Sequence, residues 1–199
     1  MNTRSITLIV TFTAIAIALN TVRIPTIYFP GLFYSVYEIP VVVAFLLFGL
    51  KIGVLVEVLH IAGQLALFPL GPLGFALYPV GFVAMLVMLF GVYVASRFMT
   101  RKVASGKPLD GKKATIYLTA FAVASRGGIM PFFDYGVVYH ILLPLVLGIS
   151  FPEAYIVALV PGFVLFNVTA PLYTVPIAYI IATKVSRYLK IEPRLLRQV

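Results

Sequence analysis

The sequence predicts an all-α, polytopic membrane protein with six transmembrane helices, and three observations support that prediction. Of the 199 residues, 62% are hydrophobic and only 11% are charged, whereas a soluble domain is nearer half apolar and a quarter charged. Apolar runs recur along the chain, and each is long enough to cover much of a bilayer core, which takes about 20 residues. Most basic residues lie between or beyond these runs. We expect one membrane-embedded domain over residues 1–199.

The distribution of basic residues predicts the topology. The net charge is +9, which in a soluble protein would suggest a nucleic-acid partner. Here basic residues lie in four regions: before the first apolar run, at Lys51 in a tight turn, and in the segments 97–113 and 184–197. Because cytoplasmic loops hold an excess of Lys and Arg, this pattern places both termini in the cytoplasm. A multi-pass protein of the plasma membrane, with no nucleic-acid partner, is therefore predicted.

Prolines, glycines and polar loops divide the chain into its predicted helices. The first run carries no small-residue cleavage site followed by a polar start, so it is expected to be a retained helix. Helix 2 begins near Glu38, with Pro40 in its first turn, and ends at a tight turn over residues 49–53. The other predicted helices span about Ser5–Val22, Ile52–Phe68, Phe75–Phe98, Ala114–Phe133 and Ala154–Leu189.

The predicted connections differ in character. Residues 23–37 form an aromatic, Pro/Gly-containing outer loop, and Pro69 ends helix 3. Residues 99–113 form the polar linker, and His140–Glu153 is a further apolar outer connection. Pro161, Pro171 and Pro176 should kink the long last helix. Irregular backbone at membrane depth persists only where protein or a cavity satisfies it, so a pocket is predicted in the outer half.

Small residues mark one face of the first helix. Ala14 and Ala18 are four residues apart and therefore lie on the same face. Such small-xxx-small faces let two helices approach closely. The face serves either a packed contact inside the bundle or the docking of another subunit.

The order of these segments resembles a known family. An alanine-rich first helix is followed by NTVRIP, an aromatic loop and YEIPVVVAFLLFGLKIGVLVEVLHIAGQ. This resembles the substrate-binding S components of energy-coupling factor (ECF) vitamin transporters. The resemblance implies that Ala14 and Ala18 dock on a transmembrane coupling subunit, with Ala16 extending that face. It also implies two separate ATPase subunits, so that the S component, the coupling subunit and the ATPases together form an ABC-type importer. The S component itself is then expected to have no enzymatic activity.

The second half of the chain is most similar to the riboflavin-specific members. Those members carry an Arg, a Met and then a polar–aromatic pair in helix 5, matched here by SRGGIMPFFDY with Asp134 and Tyr135. They also carry an F-N pair in helix 6, matched by Asn167 in LFNVTAPLY. Asp134 occupies a position where those members usually have Asn. Ala170, three residues after Asn167, occupies a position where they commonly have Lys. The implied ligand is riboflavin, with thiamine, biotin or pantothenate as alternatives.

The residues themselves make Asp134 and Asn167 candidates for substrate binding. An ionisable residue near the membrane core costs free energy and therefore marks a functional position. The alternative is that Asp134 is a solvated acid in a loop. The amide of Asn167 offers a donor and an acceptor to a ligand or to a neighbouring helix. Among the aromatic residues, Tyr34, Tyr37, Tyr78 and Tyr135 are expected to contribute to the pocket, the alternative being an interfacial belt.

The remaining polar residues favour structural interpretations. Arg126 is expected to pair with Glu57 on helix 3, or else to meet the coupling subunit. His60 and Gln64 share a helix face and are expected to form interhelical hydrogen bonds, without a metal site. The sequence has no nucleotide-binding loop and no cofactor or metal motif. An intramembrane enzyme and a purely structural subunit are the alternative classes.

Overall fold

In a computed structural model the chain forms a helical bundle with one short β-ribbon. The structure describes residues 3–26, 33–68, 71–105, 110–188 and 190. Its elements are α1 Thr3–Leu19, β1 Arg23–Pro25, β2 Phe33–Ser35, α2 Glu38–Phe48, α3 Leu50–Leu67, α4 Pro72–Ala104, α5 Gly111–Phe133, a π-helical segment Asp134–Leu142, α6 Leu143–Leu147 and α7 Glu153–Tyr188. Tyr28, Pro69 and both chain ends lie outside the described residues.

The helices confirm a helical protein with membrane character. Within the described ranges, four helical stretches are long and apolar enough to cross a membrane, namely Leu50–Leu67, Leu77–Ala104, Gly111–Leu147 and Glu153–Tyr188. Two shorter apolar helices cover Ile6–Leu19 and Glu38–Phe48. Six crossings and cytoplasmic termini stay predictions.

Helix α2 is the centre of the bundle. All of its residues from Glu38 to Phe48 are buried. It packs against α1, α3 and α7, and α5 in turn packs against α4 and α7. A helix that is apolar on every side is stable only when it is surrounded in this way. The buried position of α2 explains how Glu38, at its first turn, reaches the interior.

The tight turn predicted after helix 2 is confirmed. Gly49 alone separates α2 from α3, with φ 90° and ψ 179°, a conformation that favours glycine. One turn further on, a Cβ added to Gly53 would lie 2.6 Å from the Cβ of Phe45. The two glycines therefore permit both the reversal and the close contact between the helices.

One prediction about the connections was wrong. The segment His140–Glu153 is largely helical, because the helix begun by α5 continues through the π-helical segment to Leu147. Pro144 lies in the first turn of α6, directly after the π-helical segment. Gly148, with φ 66°, ends the helix.

The described part of the aromatic loop contains a short β-ribbon. Strands β1 and β2 form an antiparallel pair in which Arg23 lies opposite Ser35 and Pro25 lies opposite Phe33. The ribbon connects the end of α1 to the start of α2 and lies at one end of the bundle. The opposite end carries the α2–α3 turn and the basic α4–α5 connection.

Candidate functional site

A cavity of about 290 Å³ lies at the ribbon end of the bundle. We call it the ribbon-end cavity. Its volume is near the lower limit for small-molecule pockets, about 300 Å³. It is lined by Asn20, Arg23, Phe33, Ser35, Tyr37, Glu38, Ile61, Leu77, Tyr78, Val80, Gly81, Ala84, Arg126, Met130, Asp134, Val138, Tyr139, Leu143, Phe163, Phe166 and Asn167. The wall is mainly apolar and aromatic with a few polar groups, as small-molecule sites usually are.

Four of the six residues predicted to bind substrate line this cavity. They are Asp134, Asn167, Tyr37 and Tyr78, contributed by the π-helical segment, α7, the turn before α2, and α4. Tyr34 and Tyr135 are not among the lining residues. A binding role for the four stays a prediction, whereas the structure gives the other two different surroundings.

A chain of polar side chains runs along the cavity wall. Arg126 Nη1 donates to Glu38 Oε1 at 2.8 Å, and Arg126 Nε donates to Asn167 Oδ1 at 3.2 Å. Asn167 Nδ2 donates to Asp134 Oδ2 at 2.9 Å. At the Glu38 end of this chain of side chains, Thr174 Oγ1 donates to Glu38 Oε2 at 3.3 Å. These bonds join α2, α5, the π-helical segment and α7 at the cavity.

The predicted partner of Arg126 was wrong. Arg126 pairs with Glu38 and not with Glu57, and it is only 2% exposed, so it does not form an external docking surface. Glu57 is fully buried on α3, where its Oε2 lies 3.4 Å from Nδ1 of His60. The sequence carried a signal for Glu38, since an acid at the head of an apolar run is costly unless paired.

Part of the Arg126 guanidinium remains available. Nη1 and Nε engage Glu38, Asn167 and, at 3.8 Å, the sulfur of Met88. Within the described residues, no hydrogen bond involves Nη2. The guanidinium carbon lies 5.9 Å from the ring centroid of Phe166, which also lines the cavity. Arg126 can therefore donate to a ligand without losing its structural bonds.

The π-helical segment supplies one wall of the cavity. Asp134, Val138, Tyr139 and Leu143 line it at spacings of four or five residues. Since π-helical bonds join residues five apart, these positions recur on one face of the segment. Sequence periodicity tuned to an α-helix does not predict this face beyond its first turn.

Tyr34 holds the ribbon against α7 instead of facing the cavity. Its ring stacks on Phe166 with centroids 5.2 Å apart, and its hydroxyl contacts Thr169 Oγ1. Tyr173 on α7 meets the same ring edge-on and donates to the Ser35 carbonyl at 3.2 Å. Tyr34 thus positions Phe166, a lining residue, and acts on the site through it.

Tyr135 belongs to a polar cluster away from the cavity. Its hydroxyl donates to Glu153 Oε1, and Glu153 Oε2 lies 2.9 Å from Nε2 of His140. His140 Nδ1 also lies 2.7 Å from the Tyr135 carbonyl oxygen. These contacts attach the π-helical segment to the first residue of α7, so Tyr135 has a connecting role.

Tyr37 and Tyr78 both contact α3 or the residue that follows it. Tyr37 stacks on His60 with centroids 4.1 Å apart, and burial, with Glu57 and Glu38 nearby, raises its pKa well above the usual value. Its hydroxyl therefore stays protonated. Tyr78 donates to the Phe68 carbonyl at 2.9 Å.

Gln64 and His60 on α3 were both expected to form interhelical hydrogen bonds. Gln64 does so, because its Nε2 donates to the Ile17 carbonyl on α1 at 3.4 Å. For His60 the expectation was wrong, since among the described residues it forms no hydrogen bond.

The alanine face of α1 divides between surface and interior. Ala14 and Ala18 are exposed, together with Ile6 and Val10 on the same row at spacings of four. Ala16 is completely buried, so the expectation that it extends the exposed face was wrong. The exposed pair is not used for packing inside this chain.

Comparison with solved structures identifies the fold. The chain is similar to the S component of a bacterial ECF transporter, with a TM-score of 0.71, 18% sequence identity, and coverage of 94% of this chain and 98% of that chain. No family model matches the chain, and no curated protein matches it. The chain therefore has the fold of an ECF transporter S component. That structural neighbour is a component of a transporter.

Proposed function

We propose that this protein is the substrate-binding S component of an ECF-type importer. It binds a vitamin in the ribbon-end cavity and delivers it together with a transmembrane coupling subunit and two ATPase subunits. The observation that carries the proposal is the cavity itself, lined by Arg126, Asn167 and Asp134, in a chain with the S-component fold. An aromatic wall with a few placed polar groups suits capture of a small solute.

The charge distribution supports an outward-facing cavity. Lys51, Arg101 and Lys113 belong to the end opposite the ribbon, as do the basic residues near the end of α7. Basic residues accumulate on the cytoplasmic side of membrane proteins. The ribbon-end cavity then opens to the exterior, where a scavenged vitamin is met.

Riboflavin is the first candidate ligand. Phe163, Phe166 and Tyr139 offer ring faces in the cavity, while Asp134 offers a carboxylate acceptor and Arg126 Nη2 a donor. A flat ring bearing an N–H group and carbonyl groups matches those partners. The similarity of the second half of the chain to riboflavin-specific S components supports the same choice.

A binding titration tests the ligand. The full chain, purified in detergent, should quench flavin fluorescence on mixing, and flavin should copurify from cells that contain it. A positive result with thiamine, biotin or pantothenate and none with flavin would keep the S-component role and change the vitamin. Failure with all four would contradict the proposed function.

Docking on the coupling subunit is assigned to the exposed face of α1. The double variant Ala14→Leu/Ala18→Leu should abolish uptake while leaving vitamin binding unchanged, because bulky side chains prevent close helix approach. Ala120 and Ala124 on α5 are also exposed and four residues apart, so their double Leu variant is a matched control. Equal loss of uptake in the two variants would contradict a specific role for α1.

A further inference from the structure

The charged groups around the ribbon-end cavity restrict the ligand. Among the described residues, four charged ones line it, namely Arg23, Glu38, Arg126 and Asp134. The electrostatic character of the cavity therefore depends on how these four are paired.

Arg126 and Glu38 neutralise one another. Their side chains are 3% and 7% exposed, and the two charges meet at 2.8 Å. An anionic ligand that accepts from Nη2 would share the one guanidinium charge with Glu38 and place a second negative charge close to that buried carboxylate, which is unfavourable. The buried guanidinium thus offers a hydrogen-bond donor but no net positive charge.

Among the described residues, Asp134 forms no direct ion pair. Within the described residues, its carboxylate accepts one hydrogen bond, from the neutral amide of Asn167 at 2.9 Å. Arg23, the remaining cation, is exposed on the ribbon, where water screens it. The enclosed part of the cavity consequently carries an excess of one negative charge, located at Asp134.

The aromatic wall adds a second preference. Tyr37, Tyr78, Tyr139, Phe163 and Phe166 all line the cavity. Ring faces attract flat aromatic ligands and also cationic groups, the latter through the negative potential of the ring face. An anionic group gains nothing from these surfaces.

We infer that the cavity selects an aromatic ligand that is neutral or cationic, with a ring N–H or a positively charged nitrogen toward Asp134, and rejects ligands that carry a carboxylate. Asp134 sets this selectivity, and Nη2 of Arg126 serves a neutral acceptor such as a ring carbonyl. The inference rests on the proposed function and divides its four candidate vitamins. Riboflavin and thiamine belong to the accepted class, whereas biotin and pantothenate, both carboxylates, belong to the rejected class.

Calorimetric titration of the full chain in detergent tests the inference. Riboflavin, thiamine, biotin and pantothenate are each titrated into the wild type, Asp134→Asn and Glu153→Gln. Wild type should bind riboflavin or thiamine, with biotin and pantothenate at least about tenfold weaker. Asp134→Asn should weaken a neutral ligand about fivefold and a cationic one about tenfold or more, because a charged acceptor is replaced by a neutral one.

The control and the contrary outcomes are distinct. Glu153 is an exposed acid outside the cavity lining, so Glu153→Gln should leave all four affinities unchanged. Melting temperatures near the wild-type value confirm that both variants fold. Tightest binding of a carboxylate vitamin, or equal affinities in wild type and Asp134→Asn, would overturn the inference while the S-component proposal stands. Binding of none of the four would overturn both.

Discussion

Replacing Arg126 with methionine tests whether the polar chain at the cavity holds the bundle together. The guanidinium joins α5 to Glu38 on α2 and to Asn167 on α7, at 2.8 Å and 3.2 Å. Methionine is unbranched and uncharged but shorter, so it replaces the apolar stem of the arginine without replacing those bonds. The variant isolates the electrostatic and hydrogen-bonding contribution from the packing contribution.

The expected loss of stability is large. Removing one member of a buried ion pair costs about 3–5 kcal/mol, because the other charge is left without a partner. The lost bond to Asn167 adds about 1 kcal/mol. Replacement of a whole buried pair by uncharged residues is often close to neutral. The double variant Glu38→Gln/Arg126→Met should therefore recover at least about 2 kcal/mol of the loss.

A double-mutant cycle measures both the loss of stability in Arg126→Met and its recovery in the double variant. The free energy of unfolding is obtained by SDS titration in mixed micelles, followed by circular dichroism. Arg97→Met is the control, because Arg97 is exposed on α4 and, within the part of the chain that the structure describes, its one hydrogen bond is to Tyr93 Oη, at 3.0 Å. It should change stability little. The reasoning fails if Arg126→Met costs no more than Arg97→Met, or if the Glu38→Gln and Arg126→Met losses simply add.

Three further predictions concern single positions. Asn167→Leu should weaken vitamin binding about tenfold with folding preserved, and unchanged affinity in a calorimetric titration would remove Asn167 from the site. Gly91→Ala should destabilise the chain by about 1–3 kcal/mol, because its Cβ would lie 2.9 Å from the Cα of Ala122. Gly128→Ala, whose Cβ meets open space, is its matched control in thermal unfolding, and equal melting temperatures would contradict the packing argument. Tyr34→Phe should retain ligand affinity while Tyr34→Ala reduces it, since the stacked ring positions the cavity wall; equal affinities would refute that role.

The sequence predicted those features that short-range chemistry determines. Apolar composition predicted helices with membrane character, and Gly49 with Gly53 predicted the tight turn between α2 and α3. Asp134 and Asn167 were selected because polar groups in apolar runs mark functional positions and because both match polar positions of the resembled family, and the structure places both at one cavity. Each of these inferences used residues within a few positions of one another.

Features that depend on tertiary placement were missed. Arg126 was assigned to Glu57 because both lie inside apolar runs, but α2 brings Glu38, 88 positions away in sequence, to the guanidinium. No local pattern distinguishes these two acids. The π-helical segment was missed for a related reason, since Pro144 and Gly148 signal a helix end and only Gly148 provides one.

The placement of α1 offers a direct physical link between the cavity and the proposed docking face. Asn20, just beyond the last residue of α1, lines the cavity, while Ala14 and Ala18 point away from the bundle. Ala16, between them, is buried in the core. A ligand that contacts Asn20 therefore acts at the end of the same helix that presents the exposed alanines. If the proposed ligand binding and docking are coupled, α1 is the shortest covalent connection between them, from Asn20 at the cavity to Ala18 and Ala14 on the exposed face.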